Sequence, residues 1–373
     1  MGLSRCASRL LHRLGRKLGG DARRRRRAMT RGPARRPTLA DVARESGMSK
    51  AAVSMILNDK PGTRLSAEAA ERVRAAAAKL DYRPNPAAVS LRHDKTQTIG
   101  FISDHVTLTR YASGMIRGVL GAAKQRGYTV LMTETDRHEL ADAVELMLDR
   151  RVDGILVGLL GARMIDLPEV RYVPLVVING TSSREHPNVL PDERTAGQAI
   201  AGLLIEAGHR RIGLIGDIPR VMGDPRASVT IGERFKGLDG ALDAAGIVAV
   251  RAVVDDWQPH VGYEYGLRML TEHPELTAII ALNDNVAFGV YQAVAKLGLR
   301  IPDDVSVVSF DDEEVAAYQR PGLTTARLPY EEMAQRGVEM LIGDYEPSHT
   351  MLPMPLVIRE SVRQLRVAAS AGS

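Results

Sequence analysis

Thr38-Leu-Ala-Asp-Val-Ala-Arg-Glu-Ser-Gly-Met-Ser-Lys-Ala-Ala-Val-Ser54 is the stretch on which the reading of this chain turns. Thr38 stands before Leu39, Ala40, Val42 and Ala43, the place of an N-cap ahead of a short helix with one apolar face. Asp41 in the first turn suits the positive helix end. Gly47 ends that helix. Ser49 is a second N-cap, followed by Val53, Ile56 and Leu57 at i, i+3 and i+4, with Asn58 and the turn Lys60-Pro61-Gly62 closing the segment. A third helix is predicted from Ser66, with Glu68 in its first turn, through Ala69, Val73, Ala76 and Leu80 to a stop before Pro84.

Helix, tight turn, helix and supporting helix is the helix-turn-helix arrangement, whose second helix enters the DNA major groove with its N-terminal residues nearest the bases. On that reading Lys50, Ala51, Ser54 and Met55 face DNA, while Val53, Ile56 and Leu57 face inward. The pattern alone leaves a plain three-helix bundle open.

Charge is distributed unevenly around this module. Residues 1–36 hold thirteen Arg and Lys against Asp21 alone, and residues 37–95 hold ten basic against seven acidic groups. Residues 96–373 hold 27 basic against 37 acidic, so the formal total of +5 hides a basic front and an acidic body. A basic front attracts phosphate backbone, with counterion release, and an acidic body avoids it. The run Arg23 to Arg27 lies in a segment without periodicity and has three readings: a DNA-binding arm, a targeting peptide, or leader wrongly included upstream of Met29. The segment lacks the apolar h-region of a secretion signal.

Downstream, an internal repeat is visible. Ile116-Arg-Gly-Val-Leu-Gly-Ala-Ala-Lys-Gln-Arg-Gly127 aligns with Phe235-Lys-Gly-Leu-Asp-Gly-Ala-Leu-Asp-Ala-Ala-Gly246. Each copy follows an apolar strand, Thr98 to Ser103 or Arg211 to Gly216, and leads to another, Val152 to Val157 or Thr277 to Leu282. Strands alternating with amphipathic helices predict two similar α/β lobes with parallel sheets. Ligands of such sheets bind beyond the carboxyl ends of the strands, which directs attention to Asp104 to Tyr111, Gly158, Asn179, Asn283-Asp284 and Asp311-Asp312. Asn and Asp there suit hydroxyl recognition, with loop and capping chemistry as the competing explanation for each one singly.

The quoted stretch, together with Leu57-Asn58, Lys60-Pro61-Gly62 and Tyr82-Arg83-Pro84-Asn85, resembles the headpiece of the LacI/GalR (lactose-repressor) family. The resemblance continues to about residue 363 through Gly208-His-Arg-Arg-Ile-Gly, Asn283-Asp284, Pro302-Asp-Asp-Val-Ser-Val-Val, Phe310-Asp-Asp and Leu323-Thr-Thr. It implies an α/β protein with an N-terminal helix-turn-helix headpiece and a two-lobed periplasmic-binding-protein-like core. The expected organisation is a basic, disordered extension (1–36), the headpiece (37–83), a hinge helix and linker (84–97), an effector-binding and dimerisation core (98–366) and a tail (367–373).

The resemblance further implies DNA contacts from Thr38, Ser49, Lys50, Ala51, Ser54, Met55, Asn58, Tyr82 and Asn85. In the hinge, Leu91 matches a minor-groove wedge that kinks the duplex, with Ala88 beside it. Two departures stand out: Met55 where the family usually has Arg or another polar group, which is expected to change the operator read, and Val89 where the family commonly has Arg in the hinge. In the cleft, Arg234 matches the arginine that grips the effector, Trp257 the aromatic that stacks on it, and Asn283 and Asp311 polar contacts. Asp104, Tyr111 and Asn179 match ligand-facing positions of the first lobe. The loop Ser103 to Tyr111 departs from the family's usual wording. His105 and Arg110 admit an acidic or phosphorylated effector beside the expected sugar or sugar derivative, and Ser309 replaces a usual Gly.

The expected function is a sequence-specific transcriptional regulator, a repressor by preference. It binds pseudo-palindromic double-stranded operator DNA as a homodimer and is controlled by a small molecule, a carbohydrate by preference. The alternative is a solute-binding protein of transport, which accounts for residues 98–363 but has no use for residues 37–92. The dimer is expected because such headpieces read two-fold sites, and the absence of heptads after Arg366 speaks against a tetramer-forming coil. Catalysis is not expected, since the Gly-x-Ser-x-Gly, Walker, Gly-x-Gly-x-x-Gly and His-Glu-x-x-His patterns are missing. Cys6 is the only cysteine and the nine histidines are scattered, so neither a disulfide, a metal nor a cofactor is expected. The chain reads as cytoplasmic, with no membrane partner.

Overall fold

The computed structural model describes residues 35–58, 65–83, 95–106, 113–135, 139–344 and 346–365. The chain divides into two compact units, residues 1–93 and 94–373.

The first unit contains α1 (Leu39–Ser46), α2 (Lys50–Leu57) and α3 (Ala67–Lys79). The caps fall where the sequence places them. Asp41 accepts hydrogen bonds from both the backbone N–H (2.9 Å) and the hydroxyl (2.7 Å) of Thr38, and these bonds hold its carboxyl down at about 2. Gly47 leaves α1 at φ +69°, a left-handed conformation that glycine adopts without steric cost. Ser49 Oγ accepts from the Ala52 N–H at 3.1 Å, and Ser66 Oγ from that of Ala69 at 3.2 Å. Val42, Val53, Ile56, Val73 and Ala76 close a small core between the three helices.

The second unit has two lobes, each around a six-stranded sheet. The first lobe holds β1 (Thr98–Asp104), β2 (Thr129–Thr135), β3 (Gly154–Ile165), β4 (Leu175–Ser182) and β5 (Asn188–Pro191), with α4 (Ser113–Gln125) and α5 (Leu140–Asp149). The chain then crosses through α6 (Glu193–Glu206) into the second lobe. This contains β6 (Ile212–Asp217), α7 (Ile231–Ala244), β7 (Val250–Val253), α8 (Pro259–Glu272), β8 (Ala278–Ala281) and α9 (Asp284–Lys296), followed by β9 (Ser306–Asp311), α10 (Glu314–Tyr318) and β10 (Thr324–Arg327).

Strand order is β2-β1-β3-β4-β5 in one sheet and β7-β6-β8-β9-β10 in the other, all parallel, so the sequence repeat corresponds to a repeat of topology. Strands β1 and β8 are buried almost throughout, as strands covered by helices on both faces must be.

The end of the chain breaks this symmetry. After β10 it returns to the first lobe as α11 (Tyr330–Ile342), whose Tyr330, Met333, Ala334 and Val338 share a core with Ile99, Phe101, Met115 and Val119. It then adds β11 (His349–Leu352) beside β5, and finally β12 (Leu356–Val357) antiparallel to β10 in the second lobe. Three crossings therefore join the lobes.

β3 is unusually long. Its pairing with β4 shifts register between Gly158 and Arg163, and its far end reaches the loop before α7. There the Val229 N–H donates to the Ala162 carbonyl and the Met164 N–H to the Pro225 carbonyl, each at 2.8 Å, and Arg226 pairs with Asp166 at 2.6 Å.

Candidate functional site

In the first unit, α2 presents Lys50 and Ala51 to solvent, with Met55 half-buried and Asn58 exposed beyond the helix end. Ser54 does not belong to that face. It is buried, and its Oγ accepts from Asn58 Nδ2 at 3.3 Å, while the same nitrogen donates to the Ser54 carbonyl at 2.6 Å. Ser54, expected to face DNA, is thus only 7% exposed in the free chain. Thr38 and Ser49 spend their side chains on caps, and Tyr82 packs against the three-helix core, where burial pushes its phenol up. Asn85, Ala88, Leu91 and Tyr111 lie outside the described residues.

In the second unit a cleft of about 360 Å³ opens between the lobes, beyond the carboxyl ends of the strands. Asn179, Arg234, Trp257, Asn283 and Asp311, from both lobes, line it together. Asp104 does not. It is fully buried inside the first lobe and bound by Arg163, with His105 Nε2 3.8 Å from its other oxygen. A strand-end position two strands from β4 was expected to face ligand, but the extended β3 places an arginine over it.

Arg234 is the centre of the second-lobe wall. α6 and α7 approach so closely that a Cβ on Gly197 would overlap the Arg234 carbonyl, and one on Gly237 would overlap that of Arg194. This approach brings Glu193, at the start of α6, against Arg234, at the start of α7. Nε and Nη2 donate to the two Glu193 oxygens, each at 2.7 Å, and Nη1 donates to the Leu282 carbonyl. Asp311 lies 3.7 Å from Nη2, and the guanidinium stacks 4.2 Å from the Phe310 ring centre and 5.7 Å from that of Trp257. Burial opposes the charge of Arg234, but Glu193, Asp311 and Asp284 outweigh it and raise the guanidinium above its ordinary value. The arginine expected to grip a ligand is thus already gripped, bidentately, by the protein.

Trp257 donates its indole N–H to the Gly216 carbonyl at 2.8 Å, which fixes the ring on the cleft wall. Asn283 serves as the N-cap of α9, its Oδ1 accepting from the Val286 N–H at 2.8 Å and its Nδ2 donating to the Trp257 carbonyl at 3.3 Å. Both ends of that side chain are therefore occupied by scaffold.

Asp311, at φ +103°, ends β9. Burial pushes its carboxyl up to about 6, against the pull of Arg234, and the Glu193 charge adds to the rise. Beneath it Asp284 is fully buried and raised well above the ordinary carboxylate range, chiefly by burial and then by Asp311. Hydrogen bonds from the Ser309 and Thr325 hydroxyls and the Glu313 N–H counter that rise. Ser309 thus supplies Asp284, beneath the cleft, with a hydroxyl that glycine could not.

On the opposite wall Asn179, at φ +57°, donates Nδ2 to the carbonyls of Leu159 (3.0 Å) and Leu160 (3.1 Å), and the Tyr330 hydroxyl donates to the Leu160 carbonyl at 2.7 Å. Asn179 Oδ1 is buried and makes no hydrogen bond. A buried acceptor without a donor is costly unless something else supplies one. Leu160, Ile218, Val221, Ile231 and Leu328 give the remaining wall an apolar character. Glu193 and Tyr330 were not anticipated from the sequence: the first reads as an ordinary first-turn acid, and the second lies past the chain's return to the other lobe.

A helix-turn-helix module and a two-lobed α/β cleft in one chain match known proteins along nearly the whole length. Residues 38–85 match the model of bacterial regulatory proteins of the lacI family, and residues 201–362 match the periplasmic binding protein-like domain. The ribose operon repressor of Haemophilus influenzae is 31% identical over 347 residues, covering 88% of this chain and 99% of that protein. This chain belongs to the LacI family. The transcriptional repressor PurR of Erwinia tasmaniensis is 33% identical, covering 87% of this chain and 96% of its own length. Among solved structures, the lac repressor dimer bound to operator and the anti-inducer ONPF superposes with a TM-score of 0.72 at 26% identity, covering 88% of this chain and 99% of that one. As a LacI-family member the protein is a DNA-binding transcriptional regulator. Among the described residues no helix is long and apolar enough to cross a membrane, and no cluster of His, Cys, Asp or Glu could hold a metal ion.

Proposed function

We propose that this LacI-family protein is a cytoplasmic repressor that binds a pseudo-palindromic operator as a homodimer and changes its DNA affinity when a compact polar molecule enters the inter-lobe cleft. The observation that carries this reading is the exposure of Lys50 and Ala51 at the N-terminal end of α2 while Val53 and Ile56 anchor the same helix in its core. That is the geometry by which such a helix reaches base edges. Lys50, Ala51 and Met55 are assigned to DNA, with Thr38, Ser49, Asn58 and Tyr82 holding the module in shape at its boundary. Asn85, Ala88 and Leu91 are assigned to DNA on the sequence resemblance alone.

The cleft is assigned to the effector through Asn179, Arg234, Trp257 and Asp311, with Asn283 and Glu193 as their supports. A two-fold protein fits a two-fold site. An effector shifts DNA affinity only if it binds one lobe arrangement better than the other, and the β3 contacts with the loop before α7 are bonds that such a rearrangement must keep or break. No catalytic role is proposed: Glu193 is engaged bidentately by Arg234, and Asp284 by the Ser309 and Thr325 hydroxyls beneath the cleft.

Selection of bound duplexes from a random pool by the purified full chain tests the proposal at near-physiological salt, on which affinity depends steeply. Enrichment of a two-fold symmetric site is expected. Enrichment of a single unpaired half-site refutes the dimeric reading, and no enrichment refutes sequence-specific binding by this module.

A further inference from the structure

The charges of the cleft narrow the class of effector, granted that the cleft is the effector site. Among the described residues three charged side chains line it: Glu193, Arg234 and Asp311. Glu193 engages Arg234 bidentately at 2.7 Å, so the cation is already matched by one carboxylate. Asp311 remains, 3.7 Å from the same guanidinium, and gives the cleft a surplus negative charge.

The opposite wall adds a second group in want of a donor, the buried and unbonded Oδ1 of Asn179. Beyond Asp311, Leu328 and Tyr330 the cleft continues into a smaller opening lined by two arginines and five carboxylates. There Arg117 pairs with Glu331 at 3.5 Å and Arg327 with Glu332 at 2.8 Å, so each arginine already has a carboxylate partner and the carboxylates outnumber them. His105, a candidate for binding an acidic effector, stands 3.8 Å from buried Asp104 and is not among the residues that line the cleft.

A ligand that seals this cavity buries its charges in a low dielectric, where an uncompensated carboxylate is expensive. We infer that the effector is a monosaccharide-sized polyhydroxy molecule bearing a protonated amine, which pairs with Asp311 while a hydroxyl or N–H satisfies Asn179. A phosphorylated or carboxylate effector meets no cation without a carboxylate partner among the described lining residues. The acidic approach favours entry of a cation and is screened by salt.

The test uses the full chain at about pH 7 and three probes that share one skeleton and differ in charge: D-glucosamine, D-glucose and D-glucose 6-phosphate. Binding is read from the fluorescence of Trp257, the only tryptophan. Glucosamine is expected to bind at least about tenfold more tightly than glucose, with the phosphate weaker still, since a charge pair in a water-excluded cleft outweighs a neutral hydrogen bond. Asp311→Asn is expected to abolish the preference for the amine. Glu193→Gln, a second variant at a separate carboxylate, is expected to reduce it and to strengthen glucose 6-phosphate relative to glucose. Tighter binding of glucose or of the phosphate by the unaltered protein overturns the charge assignment and leaves the effector cleft standing. No response to any probe, in the unaltered chain or either variant, overturns the effector cleft as well.

Discussion

Replacing Arg234 by alanine separates a ligand contact from a structural support. Its side chain is 3% exposed and its guanidinium satisfies both oxygens of Glu193, itself 4% exposed, and pairs with Asp311 at 3.7 Å. Removing it strands buried carboxylates and opens a void against Phe310. Breaking a buried pair from one side costs about 3–5 kcal/mol, and that is the expected loss near pH 8.

The loss has a definite pH dependence. Stranded carboxylates have raised folded-state pKa values, so the folded variant holds protons that the unfolded chain has released. Its stability is intact below the ordinary carboxylate pKa and falls as pH rises through the raised value. Urea unfolding followed by circular dichroism should therefore show a deficit at about pH 8 that shrinks at about pH 5. Arg234→Met combined with Glu193→Leu, which removes the pair and keeps its volume, should recover most of the loss. A deficit under about 1 kcal/mol at the higher pH, or a double variant no better than the single, would refute the view that Glu193 and Arg234 form a buried supporting pair.

Other consequences are equally direct. Asp311 at about 6 and Glu313 at about 7 are both raised by burial, so the unaltered protein should lose stability as pH rises from about 4 to about 7. Asp311→Asn should flatten that slope by about 3 kcal/mol over the interval, and an unchanged slope in the variant counts against its burial. Ser49→Ala removes the cap on the Ala52 N–H and should destabilise the headpiece by about 1 kcal/mol in thermal unfolding, whereas Ser49→Asp should restore it. Leu91→Ala, placed in the hinge by resemblance, should weaken specific DNA binding more than nonspecific binding in gel-shift titrations. Equal losses would contradict the wedge.

The helices of the headpiece were legible because their signals are local: Thr38, Ser49 and Ser66 satisfy N–H groups within the next turn, and Gly47 supplies a left-handed φ. The paired lobes were legible because a repeated sequence builds a repeated topology. The cleft was only partly legible. Asn179, Asn283 and Asp311 announce themselves at strand ends and Trp257 only through the family resemblance, but the strand-end rule also nominates Asp104, which is buried against Arg163. Ser54, expected at the groove, is buried in the free chain, since one helical position separates an exposed side chain from a buried one.

What the sequence by itself determined is what short-range physics controls: capping, hydrophobic period, the asymmetry of charge and the order of strands and helices. What only the tertiary structure decided is which charges meet. Glu193 and Arg234 are 41 residues apart, and no local pattern joins them; the approach of α6 and α7 at Gly197 and Gly237 does. Tyr330 reaches the first-lobe wall only because the chain crosses back after β10. Hydrophobic burial selects such long-range contacts by shape, and the free charge of the cleft, on which its ligand depends, is what remains after those contacts are made.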